Sequence, residues 1–364
     1  MSDKFDISKS VLVGETSEAS LIRMGKVLRD QGLNPDVVFE FITNESGVFS
    51  GLGEIVQILA KILPEKYKDE VWALNDGDVF EKNEVVLRIK AKFAVLSSFL
   101  TALTGIVSSS SGWATGAKKC VDAADGIPIV NFGASQIHPN TVGIMDYSSI
   151  QGGAKGCSSV IGAKLTDLTP AGSMNENLVL IFKDVVDAAD SLMNIKDTEL
   201  AELPKIVSIG VLGDEAIEAE EVVANFPGVR GLKVETPLER GGVNAVLLRE
   251  IRERLDQKGF TNTQLSVSGD LTPRSINSII EVEKEWLADL NRLQNSSSNQ
   301  EYDQINQNLN RRIVQAIGIN RFIACHSPVD ISAYLKDIDG VPVSKRGKVP
   351  GITANTRISK ILFK

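Results

Sequence analysis

The stretch IVSIGVLGDEAIEAEEVVANFPGVRGLKV, residues 206–234, decides the fold class of this chain. It begins with an apolar run at 206–210 and ends with a second one at 231–234, and both are typical of buried strands. Between them, residues 215–225 have the apolar spacing of an amphipathic helix. A strand, a helix and a second strand in this order predict two parallel strands joined by a crossover helix.

The same alternation continues on both sides of this stretch. Further apolar runs predict strands at residues 127–132, 159–161, 178–182, 264–267 and 321–325. Helical patterns separate most of these runs, as at residues 245–259. Repeated strand–helix units predict a parallel sheet. Their number favours an α/β barrel, with an open sheet as the alternative.

The first third of the chain has a different pattern, in which helices and antiparallel strands are mixed. Helices are predicted at 17–33, 52–63, 93–107 and 113–124, and strands at 37–43 and within 72–91. These elements predict an α+β sandwich domain over residues 1–125, followed by the barrel over residues 126–336. A tract at 291–310 is rich in Asn, Gln and Ser, and it predicts a surface insertion without a catalytic role.

Composition limits the functions that need to be considered. The chain has 364 residues and a net charge of −8, which argues against nucleic-acid binding but allows a local basic pocket for a phosphorylated ligand. The N-terminus lacks the pattern of a signal peptide, and the longest apolar stretch is too short to span a membrane. Cys120, Cys157 and Cys325 form no zinc-binding pattern. We expect a cytoplasmic protein with reduced thiols, no metal ligands and no membrane contact.

Strand ends carry the candidate chemistry, because active sites of α/β barrels lie at the carboxyl ends of the strands. One predicted strand is followed by the turn Ser268-Gly269-Asp270, and Thr272-Pro273 then predicts a helix start. Free backbone N–H groups at such a turn, with the helix N-terminus, can bind a phosphate. A plain strand-to-helix turn is the alternative, and the Asp270 carboxylate repels a phosphate unless it points away.

The densest polar cluster at a strand end follows residues 231–232. Lys233 and Glu235 lie on one face of the predicted strand, because strand side chains alternate with a period of two. A pair of this kind that faces the barrel interior must be ion-paired or bind a ligand. We therefore expect function here, with Thr236 and Arg240 in the following loop.

Other candidates lie at further strand ends and in one late loop. His138 can act as an acid, a base or a phosphate ligand, with a capping role as the alternative. Asp146 can orient a ribose or a metal-bound water. Gly318 and Arg321 form a second glycine-bearing turn, where the arginine can bind a phosphate or stay solvated. Lys345 belongs to a basic run that can close over a phosphate or stay solvated.

Taken in order, these motifs resemble the nicotinate phosphoribosyltransferase family. The motifs that carry the resemblance are Phe132-Gly-Ala-Ser-Gln-Ile-His-Pro139, Asp146 with Gly152-Gly153, Gly162-Ala-Lys-Leu165, Pro170-Ala-Gly-Ser-Met174, Glu235-Thr-Pro237, Ser268-Gly-Asp-Leu271 and Lys345-Arg-Gly-Lys348. They extend over most of the chain. The resemblance implies an N-terminal α/β sandwich domain, an irregular α/β barrel, and a return of residues 337–364 to the first domain.

Several motif positions depart from the family pattern. The family's two arginines, which are expected to hold the pyridine carboxylate and phosphate, are Ser135 and Gln136 here. Glu176 replaces the histidine that is expected to be phosphorylated when ATP drives the reaction, so we do not expect ATP use. Lys233 and Glu235 replace an arginine and an aspartate that bind ribose, with similar charge but different geometry.

Two functions follow from the resemblance and its departures. The first is a phosphoribosyltransferase, as a homodimer, that transfers phosphoribose from Mg²⁺-bound phosphoribosyl pyrophosphate (PRPP) to nicotinate or a related base in NAD biosynthesis. The second is a catalytically inactive member that acts as a binding or scaffold protein. For the first function, the predicted catalytic residues are His138, Asp146 and Glu235, and the predicted substrate-binding residues are Lys233, Thr236, Arg240, Ser268, Gly269, Gly318, Arg321 and Lys345.

Overall fold

The structure, a computed structural model, describes residues 4–197, 203–296 and 312–363. Its strands are β1 (Asp36–Thr43), β2 (Gly47–Val48), β3 (Val71–Ala73), β4 (Val79–Phe80), β5 (Val85–Lys92), β6 (Ile129–Asn131), β7 (Gly156–Cys157), β8 (Ile206–Ile209), β9 (Gly231–Val234), β10 (Gln264–Val267), β11 (Ala316–Ile319), β12 (Ile331–Ile338), β13 (Val341–Pro342) and β14 (Ser359–Lys360).

The α-helices of the described residues lie between these strands and before them. They are α1 (Lys9–Leu12), α2 (Ala19–Asp30), α3 (Leu52–Ile62), α4 (Glu65–Lys68), α5 (Phe93–Leu96), α6 (Leu100–Ala123), α7 (Val142–Gln151), α8 (Val160–Thr166), α9 (Glu176–Phe182), α10 (Val185–Met193), α11 (Glu215–Asn225), α12 (Ala245–Gln257), α13 (Pro273–Ser296) and α14 (Arg321–Ala324). No helix within the described ranges has both the length and the apolar character that crossing a membrane requires.

The first sheet contains strands from both ends of the chain. Its strand order is β13-β12-β1-β5-β3-β14, and β1 pairs antiparallel with both β12 and β5. Phe39 and Phe41 on β1 belong to an apolar core that also includes Leu100 and Leu103 of α6. Because β12 begins at Ile331, the chain rejoins this sheet before residue 337, where we expected the return to begin.

The opposite face of this sheet is covered by a loop that follows β13. Glu40 is fully buried there, and it accepts hydrogen bonds from Arg88 Nε at 2.8 Å and from the Thr353 backbone N–H at 3.0 Å. Lys336 Nζ donates to the Val349 carbonyl at 2.7 Å. A buried charge is costly unless it is paired, so these contacts fix the loop to the sheet.

The 24-residue helix α6 connects the first sheet to the barrel and packs against both. We predicted two helices, at 93–107 and 113–124, with a break at 108–112, where a run of four serines and a glycine has low intrinsic helix propensity. That prediction was wrong, since tertiary contacts hold the run in the helix. Ser111 Oγ accepts from the Ser50 N–H at 3.1 Å, and Thr115 Oγ1 accepts from the Val48 N–H at 2.9 Å.

The second sheet is parallel, with the order β7-β6-β11-β10-β9-β8. Except for β7 and β8, strands that are consecutive in the chain are neighbours, and the last strand, β11, pairs with the first, β6. The gap between β7 and β8 is bridged by an extended segment, in which Ala171 N–H donates to Cys157 O and Met174 N–H donates to Ile206 O, both at 2.8 Å. The predicted irregular α/β barrel beside an N-terminal sandwich is therefore confirmed.

Three predicted strands were wrong. Residues 159–161 and 178–182 lie in the helices α8 and α9, where Ser159 and Asn175 are N-caps that accept from backbone N–H groups of the first turn. Residues 321–324 form the short helix α14 with Cys325 as its C-cap, and the strand lies earlier, at Ala316–Ile319. Short apolar runs fit a strand or a helix equally well, and here the capping residues decide between them.

The predicted polar insertion at 291–310 falls only partly on described residues. Helix α13 extends to Ser296, so the first residues of the tract continue a helix whose Trp286 is buried. Residues 297–311 lie outside the described residues. The predicted domain boundaries stay a prediction.

The packing of α6 against α7 predicts a strong effect of one added methyl group. A Cβ atom at Gly152 would lie 2.1 Å from the Ala114 carbonyl oxygen, so Gly152→Ala forces the two backbones apart. Overpacking of this kind costs about 1–3 kcal/mol, which a lowered midpoint in urea unfolding will show. Gly172→Ala is the matched control, because no atom lies within 4 Å of its Cβ position. Equal midpoints for both variants would contradict the close approach.

Candidate active site

A cleft of about 640 Å³ opens at the carboxyl ends of the parallel strands, which all end at the same edge of the barrel. Its lining includes residues from the ends of β8 and β9 and from the loops that follow β8, β9 and β10. The lining residues that carry polar side chains are Gln136, Glu176, Ser208, Lys233, Glu235, Thr236, Asp270, Ser275 and Asn320. Barrel enzymes use this end of the fold for catalysis, so the cleft is the candidate site.

Lys233 and Glu235 line the cleft, and Ser268, which is buried and is not among the lining residues, forms a hydrogen-bonded group with them. Lys233 Nζ lies 2.7 Å from Glu235 Oε2, and Ser268 Oγ donates to the same oxygen at 2.9 Å. Burial alone would raise the pKa of Glu235. The hydrogen bond and charge of Lys233, together with the Ser268 hydroxyl, bring that pKa below its ordinary value. Glu235 is therefore an ionised hydrogen-bond acceptor at neutral pH.

Glu215 supports the loop that follows β9, and the sequence analysis did not identify it. This carboxylate is buried, and it accepts from Thr236 Oγ1 at 2.9 Å and from Arg240 at 3.1 Å. The Arg240 guanidinium is therefore paired outside the cleft lining, whereas Thr236 lines the cleft. Acidic residues are common in the first turn of a helix, because they interact favourably with the helix dipole. The sequence therefore did not indicate that Glu215 contacts a later loop.

A second buried acid of the same helix, Glu218, supports the loop that follows β8. Its two carboxylate oxygens accept from the backbone N–H groups of Gly210 and Gly213, each at 2.6 Å. Gly210 has φ +79°, and a Cβ atom there would lie 2.4 Å from the Glu215 side chain. Two adjacent loops at the cleft mouth therefore depend on buried carboxylates of α11.

The turn that follows β10 is open to a ligand. Gly269 lines the cleft with φ +135°, a conformation that favours glycine. The backbone N–H groups of Gly269, Asp270 and Leu271 have no hydrogen-bond partner among the described residues. Helix α13 begins just beyond, at Pro273, as predicted. The turn thus offers N–H donors and the positive end of a helix dipole.

Gly318 has a packing reason to be glycine. It is buried in β11, and a Cβ atom there would lie 2.7 Å from the Phe132 ring and 2.9 Å from Ser268 Cβ. Because Gly318 has no side chain, Phe132 and Ser268 can pack directly against its backbone. Gly318 therefore lies beneath the cleft and is not among the residues that line it.

Three predicted site residues lie away from the cleft. His138 is exposed and caps the turn Pro139–Thr141, where its Nδ1 accepts from the Asn140 N–H at 3.2 Å. Arg321 is exposed at the start of α14 and is not among the lining residues. Lys345 borders a different pocket, on the first sheet. The structure thus assigns His138 the capping contact that was the alternative.

Asp146 also lies outside the cleft lining, as a buried anchor of the loop that follows β6. Its carboxylate accepts from Asn131 Nδ2 at 2.8 Å and from the Ser159 hydroxyl, and Asn131 Oδ1 in turn accepts from the Gly133 N–H at 3.1 Å. Burial raises the pKa of Asp146 to about 6, although these donors lower it. Asp146 thus supports the loop that follows β6 through Asn131.

The raised pKa of Asp146 predicts a pH-dependent contribution to stability. Because its folded-state value of about 6 exceeds the reference value of 3.8, the contribution is full below about pH 4 and is lost as the pH rises through 6. Relative to Asp146→Asn, the wild type should lose up to about 3 kcal/mol between pH 4 and pH 7. Urea unfolding of both proteins across this range measures the difference. Asp270→Asn controls for the loss of one carboxylate, and a constant difference for Asp146→Asn would contradict the prediction.

The chain shares sequence with pyridine phosphoribosyltransferases. Residues 18–111 match the family model of the quinolinate phosphoribosyl transferase N-terminal domain. A nicotinate phosphoribosyltransferase of Mycobacterium tuberculosis is 24% identical over 245 residues, which are 66% of this chain and 51% of that protein. One from Bacillus subtilis is 23% identical over 216 residues, covering 56% and 41%. The chain thus spans about half the length of the curated relatives it matches.

Solved structures show the same fold over nearly the whole chain. A nicotinate-nucleotide pyrophosphorylase of Pyrococcus furiosus has a TM-score of 0.80 and 25% identity, covering 96% of this chain and 81% of that one. Human nicotinic acid phosphoribosyltransferase has a TM-score of 0.61 at 14% identity, covering 92% and 77%, and shares the fold. In sequence and in architecture, the chain is therefore similar to the nicotinate and quinolinate phosphoribosyltransferases.

Proposed function

We propose that the protein is a phosphoribosyltransferase that binds PRPP in the barrel cleft and transfers its phosphoribosyl group to a pyridine-type base in NAD biosynthesis. The observation that carries the proposal is the Lys233–Glu235–Ser268 group at the ends of the neighbouring strands β9 and β10. The Mycobacterium tuberculosis and Bacillus subtilis relatives are named nicotinate phosphoribosyltransferases, which supports a pyridine-type base here.

The ribose would bind at Glu235. Its Oε2 already accepts from Lys233 and Ser268, whereas Oε1 has no partner among the described residues. An ionised carboxylate only accepts hydrogen bonds, so Oε1 suits a sugar hydroxyl. The lowered pKa makes Glu235 a poor base, and we assign it a role in holding the ribose and stabilising positive charge that develops at C1′.

The phosphate would bind at the turn of residues 269–271, where the N–H groups have no partner within the described part of the chain. Mg²⁺ would arrive with PRPP, because the described residues contain no group of three His, Cys, Asp or Glu side chains placed to hold a metal. In the transfer, a base nitrogen bonds to C1′ as the C1′–O bond breaks, and pyrophosphate leaves with the electron pair. We expect no ATP requirement, since no described residue that lines the cleft is a histidine.

A second candidate is a catalytically inactive member that binds a ligand or a partner. The observation in its favour is the charge of the cleft, where the described lining has one cation, Lys233, and three carboxylates, Glu176, Glu235 and Asp270. PRPP is strongly anionic, so this imbalance weakens its binding unless Mg²⁺ and the turn at 269–271 compensate.

We also propose that the protein is a homodimer, as its resemblance to the family implies. Leu180, Ile181 and Leu238 near the cleft mouth are 48%, 73% and 67% exposed, and contact with a second copy would bury them. Light scattering on a sizing column should give twice the chain mass of 39.3 kDa. The mass of a single chain at every concentration would contradict this proposal.

Replacing Lys233 tests the phosphoribosyltransferase proposal. We expect Lys233→Met to lower kcat/KM for PRPP roughly 10²–10³-fold, the usual effect of removing one preorganised donor. Titration with Mg²⁺ and PRPP, and pyrophosphate release with a base present, measure binding and turnover. Lys284→Met is the matched control, because this lysine is also ion-paired but lies on the surface.

The same titration separates the two candidate functions. Micromolar PRPP binding by the wild type, weakened in Lys233→Met, supports the phosphoribosyltransferase. The absence of PRPP binding at millimolar concentration would contradict that proposal and would favour a catalytically inactive family member.

A further inference from the structure

Two amide side chains lie together at one end of the cleft. Gln136 and Asn320 both line it, in the loops that follow β6 and β11. These strands pair directly, with Asn131 opposite Ile319, and the Phe132 N–H donates to Ile319 O at 2.7 Å. The two amides therefore follow adjacent strands and lie on the same side of the cleft.

The two amides leave both donor and acceptor groups unused. Asn320 Oδ1 accepts from the Arg321 N–H at 2.8 Å, so its Nδ2 has no partner among the described residues. Gln136 Nε2 lies 3.5 Å from Ser135 Oγ, and its Oε1 has no partner in the same described set. A ligand that carries both an acceptor and a donor complements this pair. A carboxamide has both, whereas a carboxylate is an acceptor only.

The charges around the cleft also disfavour a base with a carboxylate. Lys233 is the one cationic side chain in the described lining, and its Nζ is 2.7 Å from Glu235. Glu176 and Asp270 add negative charge to the same lining. A carboxylate group on the pyridine base would lose its hydration in the cleft and would find no unpaired cationic side chain in the described lining. Burial of such an unpaired charge is costly.

We propose that the acceptor base is an uncharged pyridine that bears a carboxamide, and that Gln136 and Asn320 select it. The inference rests on the proposed transfer of phosphoribose. In that reaction the ring nitrogen donates its lone pair to C1′, and the pyrophosphate oxygen takes the electrons of the breaking bond. The ring becomes a cation, which the neighbouring carboxylates stabilise, and the carboxamide takes no part in bond changes.

The matched pair nicotinamide and nicotinate tests the selection, because they differ only in the carboxamide or carboxylate. With the full chain at saturating Mg²⁺ and PRPP, pyrophosphate release should show a kcat/KM at least tenfold higher for nicotinamide. Gln136→Arg should shift the ratio at least tenfold toward nicotinate, because the guanidinium pairs with a carboxylate. Gln257→Arg, at the exposed last residue of α12 and outside the described cleft lining, controls for the added charge.

A binding measurement keeps the proposal testable without turnover. Titration with nicotinamide mononucleotide and nicotinate mononucleotide should give tighter binding of the amide, and the Gln136→Arg variant should reverse the order. Equal affinities, tighter binding of nicotinate mononucleotide, or binding of neither would overturn the proposal. PRPP titrated without a base reports on the proposed function alone, so PRPP binding combined with a preference for nicotinate would reject the inference and leave the function standing.

Discussion

The close approach of helix α6 to its neighbours is the constraint on which the rest of the structure depends. A Cβ atom at Gly112 would lie 2.5 Å from the Ser327 carbonyl oxygen, and one at Gly116 would lie 3.0 Å from the His326 ring. The same helix packs against α7 through Ala114 and Gly152. Small residues thus let one helix contact both the first sheet and the barrel, where larger side chains would separate them.

Buried acids support the cleft from outside it. Glu215 and Glu218 hold the loops that follow β9 and β8, and Asp146 holds the loop that follows β6 through Asn131. Each carboxylate is satisfied by hydroxyl, guanidinium, amide or backbone donors, so none has to contact a ligand to be stable in the interior. The groups available to a ligand are few, and they are the ones with unused hydrogen-bonding capacity.

The sequence predicted those parts of the fold whose local pattern agrees with their tertiary contacts. The predicted strands at 231–234 and 264–267 coincide with β9 and β10, and the barrel follows from their alternation with helices. Side-chain alternation also placed Lys233 and Glu235 on one face, where the structure pairs them. The strand predicted at 178–182 failed because the Asn175 cap, rather than the apolar run, decides that segment. Glu215 could not be predicted, because its contact with Arg240 depends on how α11 packs beside a later loop.

The pairing of β1 with β12 has a consequence for synthesis. Thr43 lies opposite Ile331, so the edge of β1 acquires this neighbour only after almost the whole barrel has been made. During translation, the N–H and C=O groups on this edge of an apolar strand stay unpaired until β12 has been synthesised. Unpaired strand edges of this kind can pair with other molecules and cause aggregation. A chain truncated before β12 would keep that edge open permanently. By pairing with β1, strand β12 therefore protects this edge from aggregation as well as completing the sheet.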